Sequence, residues 1–448
     1  MERVRVGEAA LLMYAAATYV PQSIFHALNE EALTERFRID PGMQPLALFI
    51  VAFLLLALLL NELLPRVRTG NGRLARIMAH VFESPANILL GVLLIVLAAN
   101  FYATEGISFR QTGEHLSEAG AAVQLLMLCK PYVYAWTVYH LVRIIRGRNL
   151  GNARARCVGV LFLASLVLSI TGAFDVIPLV WCAAFVTCSS RRVRAIFLIM
   201  RRRRPLWQRL ALLILGIPAA AAVVATMIWL GYANKMGGEQ TLELFRRIGV
   251  EEIAEQVMVR ASTSYASTVS FAEHNLANAS LYESALRVPL ENVPYRLSLV
   301  FGAPQPRPEV TQISRLNYLN YENDTHLERA GASPGLVSSG FFAAPFPLGF
   351  VLMAMYVTVI LRIVNLAFAD LRYRPRVTLV FMVVCFIYPF FESPVDYLVF
   401  VDPSIMQLLL VLSAFAAAAT RVRQPAHVAR SPVSVPLATS AHADSSVH

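Results

Sequence analysis

The sequence predicts an all-α polytopic membrane protein with about ten transmembrane helices and one large loop on a single membrane face. Three observations carry that prediction. Hydrophobic residues fill 57% and charged residues only 15% of the 448 positions, which is the balance of a bilayer protein. Apolar runs of span length recur along the chain, mostly with short connections between them. One stretch, 234–345, interrupts the pattern and contains no span-length apolar run. Long loops between packed elements are uncommon and usually carry function, so this segment is where function is expected.

The expected spans are 8–26, 44–64, 86–103, 120–142, 157–173, 176–190, 208–232, 346–366, 377–391 and 404–420. The first is weakly apolar, and Arg3 and Arg5 before Ala9–Ala17 also fit a signal peptide. A retained span is the expectation, because no A-x-A site follows and Pro21 prolongs the segment. Spans five and six are short and joined by the turn Thr171-Gly172-Ala173-Phe174-Asp175, as two crossings or one broken unit.

Arginine sets the orientation. Basic segments recur in every second connection: Arg66, Arg68, Arg73 and Arg76; Arg143 to Arg156; Arg191 to Arg209; Arg372, Arg374 and Arg376; and Arg421 with Arg423. The intervening segments 27–43, 104–119 and 392–403 are acidic or nearly neutral. By the positive-inside rule, both termini face the cytoplasm and the long loop faces outside. The domains expected are 1–233 with helices one to seven, the loop 234–345, helices eight to ten in 346–420, and a disordered tail 421–448.

The net charge of +10 follows from these topology-marking arginines, so nucleic acid is not an expected partner. The run Arg201–Arg204 could instead contact anionic lipid, with topology the heavier reading. The five cysteines lie in or beside apolar runs and form neither a disulfide framework nor a zinc spacing. Lys130 lies within the fourth span, either as an intramembrane functional charge or as a side chain snorkelling outward where Pro131 breaks the helix. Asp175, Glu392, Asp396 and Asp402 fall at outer helix ends, each more simply a cap than a site.

Within the loop, Leu242, Phe245, Ile248, Ile253 and Val257 keep helical spacing and predict an amphipathic helix. The loop is close to charge balance, with nine basic and twelve acidic side chains. Its arginines include Arg260, Arg287, Arg296, Arg307 and Arg315, interleaved with tyrosines such as Tyr295. Guanidinium forks suit phosphate oxygens and aromatic faces suit sugar rings, a combination that fits a glycan on a phosphate-bearing lipid. His326, His274 and Glu273 are the candidate acid–base groups. No metal-protease, nucleophile-elbow or phosphate-loop motif is present.

The end of the loop sharpens this reading. The stretch His326-Leu-Glu-Arg-Ala-Gly-Ala-Ser333-Pro334-Gly335-Leu336 leads through Gly340 to Pro347-Leu348-Gly349. It resembles the oligosaccharide repeat-unit polymerases (the Wzy group), in which a Ser-Pro element closes a large periplasmic loop. Val300-Phe-Gly-Ala-Pro304-Gln-Pro306-Arg307-Pro308 is similar to that group's proline-rich element, with Pro294-Tyr295-Arg296 before it. Arg260 stands where the group has a loop arginine. Two departures stand out: the element lacks the usual tryptophan, and the turn at Phe174-Asp175 lacks an arginine, with Arg191 and Arg192 displaced.

The resemblance implies a GT-C-like, membrane-embedded glycosyltransferase of the bacterial inner membrane. It would move a growing glycan from undecaprenyl diphosphate onto a new lipid-linked repeat unit, making surface polysaccharide such as O-antigen or exopolysaccharide. Arg260, Arg296 and Arg307, backed by Arg287 and Arg315, would neutralise the diphosphate leaving group. His326, His274 or Glu273 would take the acceptor proton, and Ser333 would shape the backbone near the diphosphate. Implied partners are the lipid-linked oligosaccharide, membrane lipids, a chain-length regulator and a flippase; no cofactor and no metal is expected. Rival readings are an O-antigen ligase acting on lipid A-core, a lipid-linked oligosaccharide transporter, and a non-catalytic assembly subunit.

Overall fold

A computed structural model describes residues 5–39, 47–63, 72–105, 121–146, 263–274, 279–300, 305–306, 308–322, 331–369, 377–398 and 403–420, with Val160 and Ala164. The protein is all-α: among the described residues there is no strand, only an isolated bridge between Phe37 and Glu322.

The helices are α1 (Val6–Leu28), α2 (Glu30–Arg36), α3 (Ala47–Leu63), α4 (Arg73–Glu83), α5 (Ala86–Glu105), α6 (Ala121–Ile145) and α7 (Thr263–His274). They continue as α8 (Ala279–Val300), α9 (Ile313–Tyr321), α10 (Gly335–Ala343), α11 (Leu348–Phe368), α12 (Val377–Glu392), α13 (Pro394–Leu398) and α14 (Pro403–Ala419). Expected spans one to four and eight to ten each coincide with a helix. Spans five to seven, the amphipathic stretch at Leu242–Val257 and the tail lie outside the described residues.

Among the described residues, α11 is long and apolar enough to cross a membrane by itself, and α4 with α5 passes as a pair bent by 60°. Helices α3, α12 and α14 are apolar but shorter. Helix α3 is apolar nearly all round because it is built from leucine, phenylalanine and alanine. It buries Ile50, Phe53 and Ala57 and leaves Leu48, Val51, Leu55 and Leu59 exposed. Similar apolar stripes are open on α1 (Leu12, Val20, Ile24), α5 (Leu89, Leu93, Val96) and α11 (Leu352, Met355, Val359).

Helix α11 is the hub, packed by α1, α3, α10 and α14, while α6 packs along α14. The turn from α10 into α11 depends on glycine. A Cβ at Gly349 would overlap the Gly340 and Ala344 carbonyl oxygens, so no side chain fits where the two helices meet.

One end of the bundle gathers the helix ends that border basic segments. Arg5, before α1, pairs with Glu62 at the end of α3 and with Glu8 at 3.3 Å. The Gly7 N–H donates to Asn365 Oδ1 near the end of α11 at 2.8 Å, and Asn365 Nδ2 donates to Glu8 Oε2 at 2.9 Å. Arg362 donates to the Asn61 carbonyl oxygen at 2.7 Å. At this same end Phe368 meets Phe415 at 6.4 Å, joining α11 to α14. Arg146, after α6, donates to the Ala418 carbonyl. The chain ends before 65–84, 143–156, 372–376 and 421–423 therefore lie together.

The structure corrects one expectation. Pro131 does not break the fourth helix, because α6 runs unbroken from Ala121 to Ile145 with Pro131 inside it, so half-buried Lys130 is not at a helix end.

Candidate functional site

The opposite end holds the described parts of the long loop. Helix α7 packs on α1, α9 and α10, while α8 and α13 each pack on both α9 and α10.

Helix α7 can approach α10 closely because its buried face carries small hydroxyl residues, Ser264, Ser267 and Thr268, backed by Phe271. Thr268 Oγ1 donates to its own helix at the Ser264 carbonyl, 2.8 Å, and lies 3.4 Å from Ser338 Oγ on α10. Ser267 Oγ donates to Asn317 Oδ1 at 2.6 Å, and Asn317 Nδ2 donates to the Ala332 carbonyl at 2.9 Å. The Ala332 N–H returns to the Ser314 carbonyl at 2.9 Å. A buried polar chain thus runs from α7 through α9 to the Ser333-Pro334 element. Each buried donor in it has a partner, as a stable buried network requires.

Pro334 caps α10, and Gly335 follows in a left-handed conformation with φ 75°. A Cβ there would stand 2.6 Å from Ser264 Cβ, so backbone and packing both call for glycine. Two of the amides left open at the start of α10, on Leu336 and Val337, point at the Tyr19 hydroxyl at 3.2 and 3.4 Å. Gln22 does the same for α7, its Oε1 accepting the Tyr265 N–H at 2.8 Å. Asp396 does it for α9, accepting the Ile313 N–H at 2.6 Å. Asp396 is therefore a cap, but for a distant helix.

The segment after α1 closes over this cluster. Phe37 is fully buried, 5.2 Å from the Tyr321 ring and 6.2 Å from His26. His26 lies 4.9 Å from the Tyr265 ring, and burial pushes the Tyr265 phenol pKa up, so it stays a neutral donor.

The expected site residues distribute as follows. Glu273 is half-buried near the end of α7, and His274 is its last residue. Tyr295 is half-buried on α8 with Arg296 next to it, and Arg287 is exposed on the same helix. Pro289 and Pro294 interrupt α8's own hydrogen bonding, and Asn292 ties the helix to the Val310 carbonyl at 2.9 Å. Arg315 on α9 lies 5.2 Å over the Tyr318 ring, and Ser333 is half-buried directly before the α10 cap. Arg260, Arg307 and His326, with the side chains of His274 and Arg296, lie outside the described residues. The fold thus joins the elements bearing Glu273, Arg315 and Ser333, whereas Arg287 is on an open face.

Sequence reasoning missed Tyr19, Gln22, His26 and Asn317. Part of the signal was present: Tyr14, Thr18 and Gln22 repeat every fourth residue along α1, and all three are buried. Among the described residues no group of three or more His, Cys, Asp or Glu side chains converges.

No protein-family model matches the chain, no curated protein is similar to it, and no solved structure matches its fold.

Proposed function

We propose that this protein is a polytopic inner-membrane glycosyltransferase that polymerises undecaprenyl-diphosphate-linked oligosaccharide units at the periplasmic face. The supporting observation is the split between the two ends of the bundle. Helix ends bordering arginine-rich segments meet at one end, and the long loop's helices meet at the other, around the Ser333-Pro334-Gly335 element. The apolar stripes open on α1, α3, α5 and α11 fit lipid contact, because soluble monomers rarely leave so much apolar surface bare. In this reading the loop is periplasmic, both termini are cytoplasmic, and about ten helices span the bilayer.

The chemistry follows from the residue types. The donor's glycosidic bond to diphosphate breaks as an acceptor hydroxyl attacks the sugar, and the electron pair leaves with the lipid diphosphate. Guanidinium groups at Arg260, Arg296, Arg307 and Arg315 neutralise that charge. Glu273, His274 or His326 takes the hydroxyl proton.

The test is polymer length in cells whose own polymerase is removed and replaced by Arg260→Ala, Arg296→Ala or Arg307→Ala, with membrane insertion checked by a fused reporter. Correctly inserted variants are expected to leave single units uncapped by further repeats. Full-length polymer from all three would refute the assignment.

A further inference from the structure

Helix α4 presents three faces, one of them buried against the bundle and two exposed. Ala79 and Phe82 are buried against the bundle. Roughly a third of a turn away, Leu74, Ile77 and Val81 form an apolar stripe, with Leu74 68% and Ile77 50% exposed. Arg73, Arg76 and His80 line the remaining face, and all three are exposed. The sole acid among its eleven residues, Glu83, is turned to the bundle, where it pairs with buried Arg143 and accepts the Tyr139 hydroxyl at 2.9 Å.

The bundle holds α4 firmly by its last turn. Carbonyls at a helix end need outside partners. Trp136 Nε1 donates to the Phe82 carbonyl at 2.9 Å, His140 Nε2 lies 3.2 Å from the same oxygen, and Asn87 donates to the Val81 carbonyl at 2.7 Å. The chain then bends by 60° at Ser84-Pro85 into α5, whose own open stripe begins at Leu89.

We propose that α4 lies in the plane of the membrane and binds anionic phospholipid, with Arg73, Arg76 and His80 at the headgroup phosphates and Leu74, Ile77 and Val81 among the acyl chains. An exposed apolar stripe beside an exposed basic one is the pattern of interfacial helices. Charge complementarity selects anionic lipid, and the apolar stripe of α5 continues the lipid-facing surface past the bend. The proposal rests on the membrane reading given above.

The test uses the full chain in nanodiscs of mixed phosphatidylcholine and phosphatidylglycerol. A benzophenone amino acid replaces Ile77 in one preparation and Val359, open on α11, in another. After irradiation, mass spectrometry identifies what is attached. Lipid is expected at both positions, with phosphatidylglycerol enriched at position 77. Arg73→Gln is expected to lower that enrichment roughly fivefold and to leave position 359 unchanged. Lipid at 359 with protein or nothing at 77, or no phosphatidylglycerol preference at 77, overturns the proposal and spares the membrane reading. Lipid at neither position overturns both.

Discussion

The Gln22 side-chain oxygen accepts the Tyr265 backbone N–H at 2.8 Å, so a residue of the first long helix caps the first described helix of the loop. Both groups are buried. Gln22→Leu leaves that amide without its acceptor, a loss of about 1–2 kcal/mol. Thermal unfolding in detergent should show a lower midpoint. An unchanged midpoint for Gln22→Leu would mean that the contact does not hold the loop to the bundle.

Gly335 carries a similar obligation. Its φ of 75° and the nearby Ser264 Cβ penalise any side chain. Gly335→Ala should cost at least about 1–2 kcal/mol from backbone conformation alone, before overlap is counted. Pairing it with Ser264→Gly should recover part of the packing loss and none of the backbone loss. Full recovery in thermal unfolding would contradict the left-handed conformation.

Arg143 and Glu83 form a largely buried ion pair between α6 and α4, and Arg143 Nη1 also donates to the Tyr139 hydroxyl at 2.7 Å. Removing one partner strands the other charge. Arg143→Met should destabilise by about 3–5 kcal/mol, and Arg143→Met with Glu83→Leu by less than Arg143→Met alone. Equal losses in the single and double variants would show that the charges are not coupled.

For the site, Glu273→Gln should separate chemistry from folding. If this carboxylate takes the acceptor proton, turnover falls about 10²-fold or more while the unfolding midpoint holds. A full rate from Glu273→Gln assigns the base to His274 or His326. Arg287, exposed on α8, should matter less than Arg315 when each is changed to alanine.

Seven of the helices were legible as apolar runs, because leucine- and valine-rich stretches of span length have few other uses. Helix α4 was not, since its apolar residues fall on two faces and its arginines read as topology marks. The described helices of the loop were also hidden. Helix α7 is rich in serine and threonine, poor helix formers that become helical here because Gln22, Asn317 and Ser338 satisfy or pack against them. Asp396 showed itself as a cap, but the sequence could not reveal that the capped helix begins at Ile313, more than eighty residues earlier. The Ser333-Pro334-Gly335 element was legible as a motif; its reliance on Tyr19 became visible only in three dimensions.

The central claim is polymerisation, and purified protein tests it most directly. Undecaprenyl-diphosphate-linked repeat units are added alone to protein in nanodiscs, with a chelator and without any nucleotide sugar, and the products are separated on a gel. A ladder spaced by one repeat unit is the predicted result. Intact single units with folded protein would contradict the account, and product appearing only after lipid A-core is added would assign a ligase instead.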